Sequence, residues 1–247
     1  MKIHTLFFLL VLIGCQKTKP TDATAPIAEI MEPQETLEVT NDEKIIKTDT
    51  VSIYSDGTES STDYILAHLV DQQADKDSIV TVKYRLDFYQ NKTKTASSKI
   101  AIKGFEKGSE WMASYGLTSE TSKNSPFIQL TVGYPACGYS HDNYLYYLKN
   151  KGLQLVHQWS TMSDSGWGSW VEIENPSANS DPKTFYWKTG AFVPADEDEN
   201  LDMEILSHSD SISFELKDNK WKKILLSAKD KPYFEKKMTF DQFNSTE

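Results

Sequence analysis

The first residues of this sequence that could carry chemistry are a serine, a histidine and an aspartate in direct succession. Ser140, His141 and Asp142 are the residue types of a nucleophile, a general base and an orienting acid. Adjacent residues of a strand point to opposite faces, however, and a catalytic triad is defined by spatial roles. We therefore interpret the three residues as a turn ahead of a strand that begins near Tyr144.

Two other patterns could bind a metal ion. Cys137 and His141 could supply two zinc ligands, but no second pair at matching spacing completes a tetrahedral site, and we predict that Cys137 is a buried small hydrophobe. An acidic segment resembles the start of an EF-hand loop, except that Leu201 replaces the turn glycine and Ser207 the bidentate glutamate. We predict a solvated acidic loop, with a calcium site as the alternative. The calcium ligands would be Asp196, Asp198, Asn200 and Asp202.

A pair of tryptophans in a glycine-bearing segment is the candidate ligand-binding site. Trp167 and Trp170 follow Gly166 and flank Gly168. Indole rings can stack on sugar faces or on partner side chains, and tryptophan is enriched in binding hot spots. The pair is therefore a candidate site for a protein or glycan partner. The alternative is that a strand continuing through Val171 buries one or both rings in the core.

The rest of the chain offers few catalytic groups. The sequence has no Gly-x-Ser-x-Gly elbow, no His-Glu-x-x-His helix, no phosphate-binding glycine loop and no dinucleotide fingerprint. The net charge is −10 and Arg85 is the single arginine, which argues against nucleic acid as a partner. We place His157 in the core, hydrogen-bonded, on the strand face of Leu153, Leu155 and Trp159.

The N-terminus has the layout of a secretory signal peptide. Lys2 supplies a positive charge, and an apolar run from Leu6 to Ile13 precedes Gly14 and Cys15. The run is much shorter than the roughly 20 apolar residues that a membrane-spanning helix needs. The segment from Leu12 to Cys15 resembles the lipobox of bacterial lipoproteins, in which a small residue precedes the cysteine that becomes lipidated. An ordinary secretory signal with a coincidental cysteine is the alternative.

The lipobox resemblance implies a location and an anchor. Cleavage after Gly14 would remove residues 1–14, and the thiol and new amine of Cys15 would carry acyl chains such as palmitate, which together give stable attachment to a membrane. We expect the protein in the bacterial cell envelope. The residues after Cys15 lack an acidic cluster of the kind that directs some lipoproteins to the cell surface, which favours a periplasm-facing location and leaves surface display open.

The composition divides the mature chain into two parts. Residues 16–50 contain no aromatic residue and no glycine but contain Pro20, Pro26 and Pro33. Such a segment buries too little apolar surface to offset its ordering entropy, so we predict that residues 15–50 are the lipidated cysteine and a disordered tether. Residues 51–247 would form a single globular domain.

Period-two alternation predicts that this domain is mainly β. Val80 to Phe88 and Ile212 to Leu216 alternate apolar and polar residues. A turn at Asp218-Asn219 then leads into a second strand whose apolar residues are Trp221, Ile224 and Leu226. We predict an antiparallel sandwich-like or meandering β domain with one or two short helices. The candidate helices start at Thr62, running to Val70, and at Pro232, running to Phe243.

The functional prediction follows from the small number of candidate catalytic and metal-binding residues. We expect a membrane-anchored envelope module that binds a ligand or partner without catalysis. The alternative is a secreted hydrolase whose site uses dispersed residues. A histidine beside a nucleophile in the folded chain would favour the hydrolase.

Overall fold

The computed structural model describes residues 30–31, 43–195 and 203–245, and it confirms a mainly β fold. One short helix, α1, spans Phe240–Asn244 near the C-terminal end, after a Thr239 N-cap. The strands are β1 (Ile30–Met31), β2 (Lys47–Ser55), β3 (Thr58–Ala74), β4 (Val80–Gln90), β5 (Thr93–Lys103), β6 (Glu110–Tyr115), β7 (Phe127–Gly133), β8 (Tyr139–Lys149), β9 (Gly152–Asp164), β10 (Trp167–Glu174), β11 (Thr184–Pro194), β12 (Glu204–Lys217), β13 (Lys220–Leu225) and β14 (Pro232–Met238).

All the strands belong to one sheet with a largely meandering order. Along the sheet the order is β1-β13-β12-β11-β10-β9-β8-β7-β6-β2-β3-β4-β5, and β14 pairs with the first half of β12. Neighbouring strands are antiparallel except β2 and β6, which are parallel. β1 pairs with β13, and β2 begins at Lys47, so Ile30–Met31 and residues 47–50 of the segment predicted as a tether lie in strands.

The short connection at residues 104–109 requires the N-terminal half of the sheet to curve. It joins β5 at one edge to β6, which lies on the far side of β2, β3 and β4. Paired strands are about 4.8 Å apart, so a flat arrangement would separate the ends too widely for a compact connection. Phe105 in this connection packs against the hydrophobic cluster on one face of the sheet.

Two hydrophobic clusters lie on opposite faces of the central strand β8. Tyr144, Tyr146 and Leu148 belong to the first cluster, and Leu145 and Tyr147 belong to the second. Alternate residues of a strand point to opposite faces, so β8 is buried on both sides. The first cluster is built mainly by β2 to β8, and the second by β8 to β13.

A β-bulge in β9 moves part of that strand from the first cluster to the second. Leu145 lies opposite His157, but the next residue, Tyr146, lies opposite Leu155, so Val156 is the extra residue. A bulge shifts the alternation by one position. Leu155 therefore packs on the first cluster, whereas Val156 and Trp159 pack on the second. The prediction that His157 shares a face with Leu155 is wrong for this reason.

The predicted helix from Thr62 to Val70 is a strand. Residues 58–74 form β3, which pairs with β2 on one side and with β4 on the other. Ile65, Ala67 and Leu69 are buried at a spacing of two. Their apolar character also fits helical spacing, and strand partners distant in sequence decide between the two.

The second predicted helix is partly correct. The segment that begins at Pro232 continues as β14 to Met238, and the helix occupies only Phe240–Asn244. Within the described segments, no helix combines the length and the apolar character needed to cross a membrane.

Candidate functional site

A cavity of about 330 Å³ opens on the face of the sheet that carries the second hydrophobic cluster. This volume is at the lower end of the range of about 300–1,000 Å³ for small-molecule sites. β9, β11, β12 and β13 and the connection after β13 supply the walls. The lining residues are His157, Gln158, Trp159, Ser160, Thr189, Asp210, Ile212, Lys223, Leu225, Lys229 and Asp230.

One wall of the cavity is aromatic. The ring centroids of Trp159 and Trp187 are 4.4 Å apart in an edge-to-face arrangement. The His157 ring packs edge-to-face on Trp187 at 5.0 Å, tilts against Phe214 at 5.3 Å and stacks on Trp159 at 5.8 Å. These separations are those of favourable aromatic pairs, so the wall is a packed unit.

His157 is neutral at physiological pH. Burial among the aromatic rings lowers its pKa from 6.5 to about 3, and the positive charge of Lys223 adds to the effect. No hydrogen bond joins the imidazole to the residues that the structure describes. The expected hydrogen bond of a core histidine is thus missing, and the ring packs as an aromatic group.

Lys223 is a cation on the inward face of β13. Trp221 is buried in the second cluster and Leu225 packs against it, so alternation points Lys223 to the same side. Burial lowers the pKa of this ammonium, with the nearby Asp210 carboxylate opposing the shift. Within the described part of the chain, Lys223 forms no hydrogen bond and no ion pair.

A second donor beside the cavity is also unpartnered. The Trp159 indole Nε1 is buried and has no hydrogen-bond acceptor in the described structure. A buried donor without an acceptor costs free energy, about 1–3 kcal/mol, unless a ligand or water satisfies it. Trp159 and Lys223, which carry these two donors, both line the cavity.

The Asp210 carboxylate is better satisfied than these donors. Asp210 Oδ1 accepts a hydrogen bond of 2.9 Å from the backbone N–H of Asp230, and Oδ2 accepts one of 3.3 Å from the Ser209 hydroxyl. Both aspartates have positive φ, 49° for Asp210 and 53° for Asp230. Asp210 lies where β12 bulges against β11, and its bond to Asp230 holds the connection after β13 over the cavity.

Sequence reasoning missed both His157 and Lys223 as cavity residues. The alternation of apolar and polar residues in the sequence does not reveal the bulge that turns His157 to the other face. For the strand after Asp218-Asn219, the predicted apolar residues are Trp221, Ile224 and Leu226. The residues that point inward on this strand are instead Trp221, Lys223 and Leu225. Strict alternation from Trp221 would have placed a lysine between two inward apolar residues.

The two tryptophans predicted as a ligand site do not lie together. They are three positions apart on β10, so their side chains point to opposite faces. Trp167 is exposed. Trp170 packs against Phe243 of α1, with ring centroids 5.8 Å apart, and its Nε1 donates a hydrogen bond to Glu172. Only Trp167 is free to contact a partner.

The residues around His141 form a strand and not the predicted turn. Ser140, His141 and Asp142 lie in β8, with His141 on the opposite face from the other two. The Asp142 carboxylate accepts a hydrogen bond from Ser160. The prediction that Cys137 is buried is also wrong, because it lies exposed in the irregular connection between β7 and β8.

Two predicted sites fall outside the described residues. Cys15 precedes them, and the acidic loop with Asp196, Asp198, Asn200 and Asp202 falls in the gap between residues 195 and 203. In the ranges that the structure describes, no three His, Cys, Asp or Glu side chains are grouped to hold a metal ion.

A buried polar network lies elsewhere, on the outer face of β2 to β5. His68 Nδ1 is 2.7 Å from the Thr48 hydroxyl, and His68 Nε2 is 3.3 Å from Asp87 Oδ2. Arg85 Nε lies 3.4 Å from Asp87 Oδ1, and Arg85 also faces Glu43 at 4.0 Å. Burial lowers the pKa of His68, with Asp87 opposing the shift. Thr48, His68 and Arg85 lie side by side on β2, β3 and β4, because Thr48 pairs with His68 and His68 pairs with Arg85.

Comparison of the chain with protein-family models, with curated proteins and with solved structures gives no match. The function is therefore argued from the geometry of these sites.

Proposed function

We propose that this protein is a membrane-anchored lipoprotein of the cell envelope that binds a small ligand, without catalysis, in the cavity between β9 and β13. The proposal rests on one observation: two donors without acceptors, the Lys223 ammonium and the Trp159 indole N–H, belong to residues of a cavity that also has an aromatic wall. A mostly apolar pocket with a few convergent polar groups is the usual form of a ligand site.

The chemistry of the cavity supports binding more than turnover. A histidine with a pKa near 3 is a weak base at neutral pH, because general bases work best with a pKa near the operating pH. Neither Ser160 nor Thr189, the hydroxyl residues of the cavity, is hydrogen-bonded to His157. No described pair in the cavity has the nucleophile-and-base arrangement of covalent catalysis.

Cavity binding can be tested with a fragment library and ligand-observed NMR on the full-length protein in a neutral detergent. We expect a subset of aromatic fragments to bind and to be lost in Trp159→Ala. Trp167→Ala removes an exposed indole outside the cavity lining and is the matched control. If no fragment responds to the cavity variant, the cavity is not a ligand site.

The membrane anchor has its own test at Cys15. Replacing Cys15 with Ser should abolish metabolic labelling with radioactive palmitate, because the lipid is attached through the thiol. The variant should also leave the membrane fraction or accumulate as an uncleaved precursor. Cys137→Ser should remain labelled and membrane-bound. Normal acylation of the Cys15 variant would refute the lipoprotein proposal.

The hydrolase alternative has one observation in its favour, the Thr48-His68-Asp87 arrangement. A hydroxyl, an imidazole and a carboxylate in contact can form a nucleophile, a base and its orienting group. Thr48 is exposed on the outer face, whereas His68 and Asp87 are buried. Turnover of an ester, peptide or glycoside that is lost in Thr48→Val and retained in Thr50→Val would establish the hydrolase and refute the binding proposal.

A further inference from the structure

We infer that the ligand of the cavity is a small organic anion, with a carboxylate or similar oxyanion on a flat apolar body. This inference rests on the proposed function, since it names the chemical class of ligand for the same site. It depends on which polar groups around the cavity are already satisfied and which are not.

The unsatisfied groups are donors. Trp159 Nε1 is buried without an acceptor, and an indole can only donate. Lys223 forms no ion pair or hydrogen bond in the described structure, and an ammonium carries three donors and no acceptor. A ligand that satisfies both must present acceptor oxygens, and a negative charge would also compensate the partly buried cation.

The Asp210 carboxylate, in contrast, is engaged within the protein. Both of its oxygens accept hydrogen bonds, one from the Asp230 backbone and one from Ser209. A cationic ligand at Asp210 would therefore compete with bonds that hold the loop after β13, and it would be repelled by Lys223. The lining holds two lysines, Lys223 and Lys229, and two aspartates, Asp210 and Asp230. The preference for an anion therefore rests on the two donors without acceptors and not on the net charge of the lining.

The apolar part of the ligand follows from the aromatic and aliphatic residues that line the cavity. His157 is uncharged at neutral pH, so its ring and that of Trp159 present stacked aromatic surfaces, 5.8 Å apart between centroids. Ile212 and Leu225 add aliphatic surface to the same lining. Flat apolar groups pack well on such surfaces, and the volume of about 330 Å³ limits the ligand to a small molecule.

Three probes of nearly the same shape test the charge preference. Benzoate, benzamide and benzylamine can be compared by ligand-observed NMR on the full-length protein in neutral detergent at pH 7. We expect benzoate to bind at least about tenfold more tightly than either of the other two. Lys223→Met should remove the advantage of benzoate over benzamide. Lys222→Met, which changes the neighbouring lysine on the other face of β13, should preserve that advantage.

A second variant separates recognition from folding. Trp159→Phe keeps an aromatic ring but removes the N–H, and we expect it to weaken benzoate at least about threefold while benzamide changes less. Far-UV circular dichroism and the urea midpoint check that each variant is folded. Equal binding of benzamide or benzylamine, lost in Trp159→Ala, would overturn the anion inference and keep the cavity as a binding site. If no probe binds and no library fragment responds to Trp159→Ala, the proposed binding function falls with it.

Discussion

Lys223 is an unusual residue for the inward face of a strand. An ammonium group on an inward strand face loses hydration, and its pKa falls because the charged form is penalised. The Trp221 and Leu225 side chains on either side of it pack in the normal way for such a face. A methionine would fill the position at lower cost, which is why we propose that the charge serves ligand binding and not stability.

The buried imidazole of His157 should make stability depend on pH. Its folded-state pKa is about 3, below the unfolded value of 6.5, so between these values the unfolded chain binds a proton that the folded chain does not. Stability is therefore fully present above pH 6.5 and decreases as the pH falls toward 3, by up to about 1.4 kcal/mol per pH unit.

Urea unfolding of wild-type protein and His157→Phe at several pH values measures this dependence. The phenylalanine variant keeps an aromatic ring without the titration, so its stability should decline less steeply. His141→Gln lies outside both hydrophobic clusters and should follow the wild type. Identical slopes for wild type and His157→Phe would show that the pKa of His157 is the same in the folded and unfolded chain.

Cys137 should react with a thiol reagent in the native protein. It is exposed in the connection between β7 and β8, whereas lipidation would block Cys15. If Cys15 is lipidated as we propose, titration of the purified full-length protein with 5,5′-dithiobis(2-nitrobenzoic acid) should give one fast thiol without denaturant and none in Cys137→Ser. Reaction only after unfolding would place the thiol inside the fold.

At the scale of elements, irregularities in the strands assemble the cavity. The bulge at Val156 turns His157 and Trp159 toward the second cluster, and the irregularity at Asp210 opens β12 beside them. Gln154 joins the two sides, because its amide accepts from the Trp221 N–H and donates to the Trp221 carbonyl, both at 2.9 Å. This side chain takes the place of backbone pairing between β9 and β13.

A close contact between β10 and β11 gives a test of strand packing. Gly190 lies opposite Trp170, and a Cβ added at Gly190 would come within 2.5 Å of the indole. Gly190→Ala should therefore reduce the free energy of unfolding by about 1–3 kcal/mol through overpacking. In a Trp170→Ala background the same substitution should cost almost nothing, because the ring is gone.

A double-mutant cycle by urea denaturation measures this coupling between Gly190 and Trp170. The second cluster faces the other side of the sheet, so the cycle reports the packing beneath α1 without disturbing the cavity wall. Strictly additive effects of the two substitutions would show that the indole does not occupy the position seen here.

At the scale of the whole molecule, the shared strand β8 should make unfolding cooperative. Its side chains enter both clusters, so neither cluster can lose its packing without exposing the other face of the same strand. Trp159, Trp187 and Trp221 lie on the second cluster and dominate its fluorescence, whereas far-UV circular dichroism reports the strands of both halves.

Leu130→Ala provides the decisive measurement for this coupling. Leu130 is fully buried in the first cluster, and its truncation should destabilise the protein by about 2–5 kcal/mol. The measurement uses a Trp111→Phe background, because Trp111 packs against the first cluster. In that background we expect the tryptophan fluorescence midpoint in urea to fall together with the circular dichroism midpoint, although Trp159, Trp187 and Trp221 pack on the other cluster. Phe214→Ala, in the second cluster, should produce the same coincident shift. A fluorescence transition unaffected by Leu130→Ala would mean that the two halves unfold separately.

The strands could be predicted from the sequence because alternation is a local property. Val80 to Phe88 and Ile212 to Leu216 lie in strands as predicted, and their alternate apolar residues pack in the two hydrophobic clusters. The opposite faces are also buried at Arg85, Asp87 and Ser213, which alternation alone does not predict. The segment around Cys15 that resembles a lipobox is likewise a linear pattern, and the location that it implies remains a prediction.

Only the tertiary structure decided where the candidate site lies. Thr62 to Val70 became a strand because β2 and β4 pair with it, and the bulge at Val156 depends on β8. The cavity brings together His157 and Lys223, which are separated by more than sixty positions in the sequence. Burial lowers the pKa of both groups, and burial depends on which strands pack together, a property that no short segment of the chain contains.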